Sequence, residues 1–357
     1  MIKYYDLGSK KSLNEIVMAG SHDAGINAGA KNVRTQGLNI YQQAESGIRI
    51  FDMRITGAVV KRPGAADALT LKAYHGQGGK RTEQAHNLHT NKHIDVKVRD
   101  MTLGDYGMEI TSILTEAKRF VKTNPTEFLL LKFDKSDNWL LIAEACVRLL
   151  QETIYCGGGN LNCAKLLHLR GRVIVLFPEA GQKEVHHLYG IPQGILGWKN
   201  LQGGGSYKED FHGLQYFGKG GTSVTNVFGS KIKENLKKQK KLIERAGDGN
   251  PKVMGMMYWT TTGLTESIRK RNDKMWTPPH IAQMQNLWKN GMRESVTMRV
   301  NPLRRLDGLP GAHVIKAFMP NFVMIDFSDA EKCKHVYQLN FMSPSTLANA
   351  VGGPAQV

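Results

Sequence analysis

Lys122-Thr-Asn-Pro-Thr-Glu-Phe-Leu-Leu-Leu-Lys-Phe133 joins two unlike periodicities across one proline. Before it, Met108–Lys122 carries apolar residues at helical spacing. Asn124 precedes Pro125, whose ring pushes it out of the α region, so the helix stops there. Glu127–Phe133 then runs apolar at strand length, which suits a strand covered on both faces. A helix returning directly into a buried strand is the repeating unit of an α/β fold.

The same alternation extends in both directions. Strands are predicted at Glu15–Ala19, Ile48–Thr56, Leu69–Tyr74, Glu127–Phe133, Val173–Phe177, Val253–Trp259 and Phe322–Phe327. Helices are predicted at Thr35–Ser46, Met108–Lys122, Trp139–Glu152, Lys231–Ala246, Leu264–Arg271, Ile281–Asn290 and Asp329–Leu339. No internal repeat or composition shift divides the chain, so residues 1–357 read as one domain, with an irregular insertion at about 179–227 and a second loose stretch at 76–105. Gly157-Gly-Gly159, Gly203-Gly-Gly205 and Gly218-Lys-Gly-Gly221 read as loops. They match neither a Walker loop nor a dinucleotide-binding turn, and no cofactor is implied.

Of the 357 residues, 41% are hydrophobic and 22% charged, an ordinary globular balance. No apolar run approaches the ~20 residues of a membrane-spanning helix. Met1–Lys11 has no apolar signal-peptide core, which leaves cytoplasmic residence, a signal already removed, or export by a non-classical or specialised route. Cys146, Cys156, Cys163 and Cys333 are few and irregularly spaced, so reduced thiols are expected, a Cys156–Cys163 pair being the alternative.

The net charge of +17 favours anionic partners without specifying a chemistry. Lys231-Ile-Lys-Glu-Asn-Leu-Lys-Lys-Gln-Lys-Lys-Leu-Ile-Glu-Arg245 concentrates it, with Ile232, Leu236, Leu242 and Ile243 to bury and a solvated lysine face. Nucleic acid is disfavoured for want of a recognition motif or aromatic platform. Trp198, Tyr207, Tyr216, Phe217 and Phe228, with Trp259 and Trp276, read as core residues with the option of an interfacial rim.

Chemistry concentrates in Met18-Ala-Gly-Ser-His-Asp-Ala-Gly25, Ile48-Arg-Ile-Phe-Asp-Met-Arg54 and Tyr74-His-Gly76. Each ends a strand-like run with polar residues. Phosphodiester cleavage needs a base, an acid and positive charge on the non-bridging oxygens. His22 and His75 can be base and acid, because imidazole titrates nearest to neutral pH. Asp23, Asp52 and Asp326, the last at the end of Phe322-Val-Met-Ile-Asp-Phe327, are available to orient them. Arg54 presents a permanent planar fork for phosphate, and period-two alternation puts it beside Asp52 as a brace. His86-Asn-Leu-His89-Thr-Asn-Lys-His93, with His186-His187, has zinc-like spacing but lacks thiolates, so a solvated loop is the expectation and no metal is assigned.

Gly20-Ser-His-Asp-Ala-Gly25, Gly47-Ile-Arg-Ile-Phe-Asp-Met-Arg54, Tyr74-His-Gly76, Ala117–Phe133 and Arg170-Gly-Arg-Val-Ile-Val-Leu176 together resemble the catalytic X domain of phosphatidylinositol-specific phospholipase C, in its bacterial, metal-independent branch. The resemblance covers Asn14–Phe177 and returns at the Asp326 strand. It implies a distorted, incompletely closed TIM-type β/α barrel, a monomer acting at an anionic phospholipid surface, and no metal. Calcium-using members carry Asn after the first His and acidic ligands on the second strand, where this chain has Asp23 and Arg54.

Carried over, the resemblance implies His22 as base on the inositol 2-hydroxyl, held by Asp326. His75 becomes the acid on the diacylglycerol oxygen, assisted by Asp23, and Arg54 grips the phosphate with Asp52 behind it. Departures fall in the head-group pocket. Asp134 stands between Lys132 and Lys135 where a basic inositol contact is expected, and Pro178-Glu179 stands where an arginine is expected. Lys132 or Lys135 is the candidate substrate contact. Related activities on glycosyl-phosphatidylinositol anchors or phosphorylated inositides, and an idle membrane-binding barrel, are the alternatives.

Overall fold

In the computed structural model, residues 1–60, 68–87, 92–203, 205–220, 231–244, 252–261, 267–288 and 320–341 are described. Eight parallel strands close into a barrel. They are β1 (Met18–Ser21), β2 (Ile48–Met53), β6 (Phe128–Phe133), β7 (Arg172–Phe177), β8 (Ile195–Asn200), β9 (Gly213–Lys219), β10 (Met254–Trp259) and β11 (Pro320–Ile325). Around the barrel they run β1-β11-β10-β9-β8-β7-β6-β2, and β2 pairs back onto β1. The TIM-type α/β fold therefore stands, but the incomplete closure does not: every neighbouring pair is hydrogen-bonded. The distortion lies instead in register shifts at Ala19/Gly20 and Gly255/Met256.

Strand alternation divides the core in two. In β6, Phe128 and Leu130 join Ile50, Ile174, Met256 and Met324 inside the barrel. Leu129, Leu131 and Phe133 face the surrounding helices. The same period points Asp52 and Lys132, partners in the β2–β6 register, into the barrel near its C-terminal end.

The helices are α1 (Ile40–Ser46), α2 (Ile110–Thr123), α3 (Trp139–Leu150), α4 (Leu166–Leu169), α5 (Glu179–Val185), α6 (Lys231–Glu244), α7 (Ile268–Lys274), α8 (residues 278–288) and α9 (Ala330–Gln338). α2 buries Ile110, Ile113, Leu114, Ala117 and Val121, one apolar stripe at helical spacing. It ends as the sequence requires: the backbone and side-chain amides of Asn124 both donate to the Phe120 carbonyl, at 2.9 and 3.0 Å. In α6, Asn235 and Gln239 are buried against β10, while Lys233, Lys237, Lys240 and Lys241 face solvent.

Two stretches differ from expectation. Residues 179–227, read as irregular, contribute α5, β8 and β9, two of the barrel strands. Gly197 in β8 and Gly213 in β9 dilute the apolar signal that would have revealed them. Within 76–105, read as loose, the described residues 76–87 and 92–105 belong to a long antiparallel ribbon of β4 (Ala68–Asn87) and β5 (Lys92–Glu109), which β3 (Ile55–Val60) joins to form a small second sheet. Ile94, Val96 and Val98 alternate with polar residues in β5, and Val96 and Val98 are buried, but residues 77–84 of β4 are all polar or glycine and largely exposed, so no second apolar run marks the pair. Gly76 and Gly104, both at positive φ and opposite each other, let its strands approach next to His75.

The base of the barrel is held by a buried ion pair. Arg49 opens β2 and Glu127 precedes β6, and both side chains are fully buried. Arg49 Nε and Nη2 donate to Glu127 at 2.9 and 2.7 Å, and its remaining donors reach the carbonyls of Ile2, Ala44 and Ile48. Glu127 also accepts from the backbone of Tyr4 and Tyr5. All five guanidinium donors are thereby used.

Candidate active site

Three barrel strands deliver the central residues at their C-terminal ends, where α/β barrels carry their sites. The His22 backbone amide extends the β1–β11 ladder by donating to Ile325 O at 3.0 Å. Asp23 then turns left-handed at φ 44°, which takes its side chain off the strand line and over the barrel mouth. Gln36, wholly buried, donates to the carbonyls of His22 and Ile325 and so fixes the ends of β1 and β11 together.

His22 lies between two carboxylates. Its Nδ1 is 3.0 Å from Asp326 Oδ1, and its Nε2 is 3.3 Å from Asp23 Oδ2. Asp23 also sits 2.9 Å from Arg54 Nε and 3.7 Å from His75 Nδ1. Neither Asp23 oxygen accepts an aligned hydrogen bond among the described residues, so the carboxylate is held by charge alone. His75 Nδ1 is 2.8 Å from the Val33 carbonyl, which must accept; Nδ1 therefore carries the proton and Nε2 is the free nitrogen.

Burial would lower the His22 pKa, but Asp23 and Asp326 outweigh it and raise it to about 9. Burial would raise Asp23, yet Arg54, His22 and His75 hold it far below the usual carboxylate range. Asp326 goes the other way, raised by burial that His22 only partly offsets. Asp23 in turn keeps the Arg54 guanidinium charged, against the pull of burial.

These shifts make stability depend on pH. Because the folded-state pKa of His22 lies above its unfolded value of 6.5, its stabilising contribution is complete below pH 6.5 and disappears as pH rises through about 9. The wild type should therefore lose about 3 kcal/mol of unfolding free energy across that window relative to His22→Gln. Urea unfolding of both proteins at several pH values measures this, and parallel curves would refute it.

Two expected roles need correction. Asp52 makes no ion pair with Arg54, because β2 ends at Met53 and the alternation that would align them is lost one residue early, although its charge still helps to keep the guanidinium protonated. Asp52 instead binds Lys132 Nζ at 2.9 Å and accepts from the Tyr258 hydroxyl at 3.3 Å. Lys132 is not an open contact for substrate either. It is buried, 3.8 Å from Asp134, with its ammonium 4.2 Å from the Trp198 ring centre. Burial favours its neutral form, but Asp52 and its neighbours keep it charged. Lys135, at φ 48°, gives its carbonyl to the Tyr74 hydroxyl at 2.6 Å.

His75 also differs from expectation: β4 continues through it and belongs to the ribbon rather than the barrel. The ribbon is pinned to the loop after β6. Asp137 pairs with Lys80 and Arg99, and Asn138 makes reciprocal bonds with the Lys97 backbone.

Of the zinc-like histidines, His86 and His93 face each other in the β4–β5 register, and His89 lies outside the described residues. Among the described residues no cluster of three His, Cys, Asp or Glu side chains could hold a metal, no helix is long and apolar enough to cross a membrane, and all four cysteines are free. Tyr216, Phe217 and Trp259 are core residues, whereas Phe228 lies outside the described residues.

One residue had no signal in the sequence. Asn272, on α7, is completely buried and donates to Asp326 Oδ2 at 3.1 Å, behind the His22 contact.

No protein-family model matches the sequence, and no curated protein matches it either. Solved structures do match. The phosphatidylinositol-specific phospholipase C of Staphylococcus aureus aligns at TM-score 0.53 and 15% identity over 94% of this chain and 95% of its own. That of Listeria monocytogenes aligns at TM-score 0.48 and 16% identity over 93% and 95%. The eight-stranded barrel described above is therefore a fold that this chain shares with the phosphatidylinositol-specific phospholipase C of Staphylococcus aureus.

Proposed function

We propose that this chain is a phospholipase C that cleaves phosphatidylinositol by internal transesterification. The observation that carries the reading is the convergence of His22, His75 and Arg54 on one buried carboxylate, Asp23, at the mouth of a barrel with this fold. Phosphoryl transfer needs the same three charges when a phosphate arrives.

His22, with Nδ1 held by Asp326, takes the proton of the inositol 2-hydroxyl on Nε2. The freed oxygen attacks phosphorus, and the bond from phosphorus to the glycerol oxygen breaks. His75, protonated on Nε2, gives that proton to the departing diacylglycerol oxygen. Arg54 grips the non-bridging oxygens, where other phosphodiesterases place a divalent cation. The products are inositol 1,2-cyclic phosphate and diacylglycerol. Asp52 and Lys132 form the polar floor beneath, and Asp52 supports the site through Lys132 and Tyr258.

The raised His22 pKa places the proton-accepting form of the empty enzyme at alkaline pH. Because His75 must stay protonated while His22 is deprotonated, the logarithm of kcat/KM should be bell-shaped against pH, with one limb bending near pH 9.

An anionic bilayer is the proposed partner. The Staphylococcus aureus protein of the same fold binds membranes. In this chain Arg34 and Arg269 both approach the ring of Phe327, next to Asp326, which puts cationic side chains on the rim.

The test is phosphatidylinositol vesicles in EDTA followed by phosphorus NMR. Cyclic inositol phosphate should form despite the chelator. No water-soluble phosphate at any pH between 6 and 9 would overturn the reading, and activity only with added calcium would overturn the role of Arg54.

A further inference from the structure

Asp326 splits its two oxygens between different partners. Oδ1 meets His22 Nδ1 at 3.0 Å, and Oδ2 meets Asn272 Nδ2 at 3.1 Å. The amide orientation is fixed by its surroundings. The Thr261 backbone N–H must donate, so it takes Asn272 Oδ1 at 3.0 Å; the carbonyls of Thr261 and Ile268 and the Asp326 carboxylate can only accept, so they face the NH2 group.

A neutral donor has a particular value at this place. A lysine or arginine would neutralise Asp326 and weaken its pull on His22. A hydrocarbon would leave Oδ2 buried without a partner, which is costly, and free the carboxyl group to rotate. The amide fixes the carboxylate plane, leaves its charge intact and does not titrate.

We propose that Asn272 is a positioning residue for the catalytic base, setting Asp326 so that His22 keeps Nδ1–H toward it and Nε2 toward the substrate hydroxyl. This rests on the acid–base reading above. The charged and titratable groups facing His22 are Asp23 and Asp326, with Arg54 behind Asp23 and the edge of Tyr258 alongside. Asn272 reaches the imidazole through Asp326 alone.

Asn272→Asp separates positioning from packing. It keeps the size and the acceptor for Thr261 N–H, but when ionised it sets a second carboxylate against Asp326. The experiment combines NMR titration of the labelled His22 ring with kcat and KM on a water-soluble inositol phosphodiester, for the wild type, Asn272→Asp and Asn272→Ala. Both variants should lower kcat by about 10- to 100-fold, the range commanded by groups that orient a functional side chain, with KM nearly unchanged. In Asn272→Asp the His22 midpoint should move upward.

An unchanged His22 midpoint and kcat, with only a lower melting temperature, would make Asn272 a packing residue and overturn the proposal. If Asn272→Ala fails to fold, Asn272→Asp decides alone. If the His22 midpoint moves but the wild type does not cleave the diester, the positioning role holds and the reaction assigned above falls.

Discussion

Alanine at His22 or at His75 is expected to lower turnover of phosphatidylinositol by about 10²- to 10⁴-fold, the contribution of one positioned acid or base. The two losses should differ in character. His22 is clamped between Asp326 and Asp23, so its removal leaves two buried carboxylates without the charge they shared and should also lower stability. His75 is held by one backbone carbonyl and is more exposed, so its removal should leave the melting temperature nearly unchanged.

The substrate offers a further distinction. An inositol phosphodiester with a good phenolic leaving group needs little protonation, so His75→Ala should recover much of its activity there, whereas His22→Ala should not. Equal losses of both variants on both substrates would refute the division of labour, and near-normal turnover of either would remove its role. Side-by-side kcat values on the two substrates, with thermal melts, are sufficient.

Arg49→Met is expected to destabilise the protein by about 3–5 kcal/mol, because removing one partner of a buried pair leaves the other charge uncompensated. Glu127 would keep only the Tyr4 and Tyr5 amides, in a pocket that admits no solvent. The guanidinium also stacks between Tyr4 and Phe120, at 5.1 and 5.0 Å from their ring centres, so packing is lost as well. Combining Arg49→Met with Glu127→Gln should recover part of the loss. Denaturant unfolding reads both, and a single variant as stable as the wild type would show that water enters the base of the barrel.

The sequence revealed the site where chemistry and chain order coincide. His22, Arg54 and His75 could be found because each ends a short apolar run with a residue of distinctive chemistry. Asp326 could be found because its strand is apolar up to the carboxylate. The pairing among them was less legible. Asp52 and Lys132 meet because their strands are neighbours in register, and strand order around a barrel is not written in either segment. Asn272 escaped because a single amide in a basic helix has no pattern to betray it. The ribbon escaped because only β5 alternates, at Ile94, Val96 and Val98, while residues 77–84 of its partner strand are all polar or glycine. Conversely, β6 and α2 were legible because both are buried along a regular period and separated by a proline.

The closure of the barrel has a consequence for how the protein forms. β1 pairs with β11, and the hydrogen bond from His22 to Asp326 spans 304 positions of sequence. The β4–β5 ribbon, by contrast, joins neighbours in the chain. Pairings of such unequal range form on different timescales, the local ones first and the distant ones only after most of the loop-closure entropy has been overcome. During ribosomal synthesis the amino-terminal strand must therefore wait with one edge open until the last strand emerges, and a nascent chain holding His22, Arg54 and His75 still lacks its base-orienting carboxylate. On the function proposed above, catalytic competence would therefore arrive only once β11 has joined β1, late in folding.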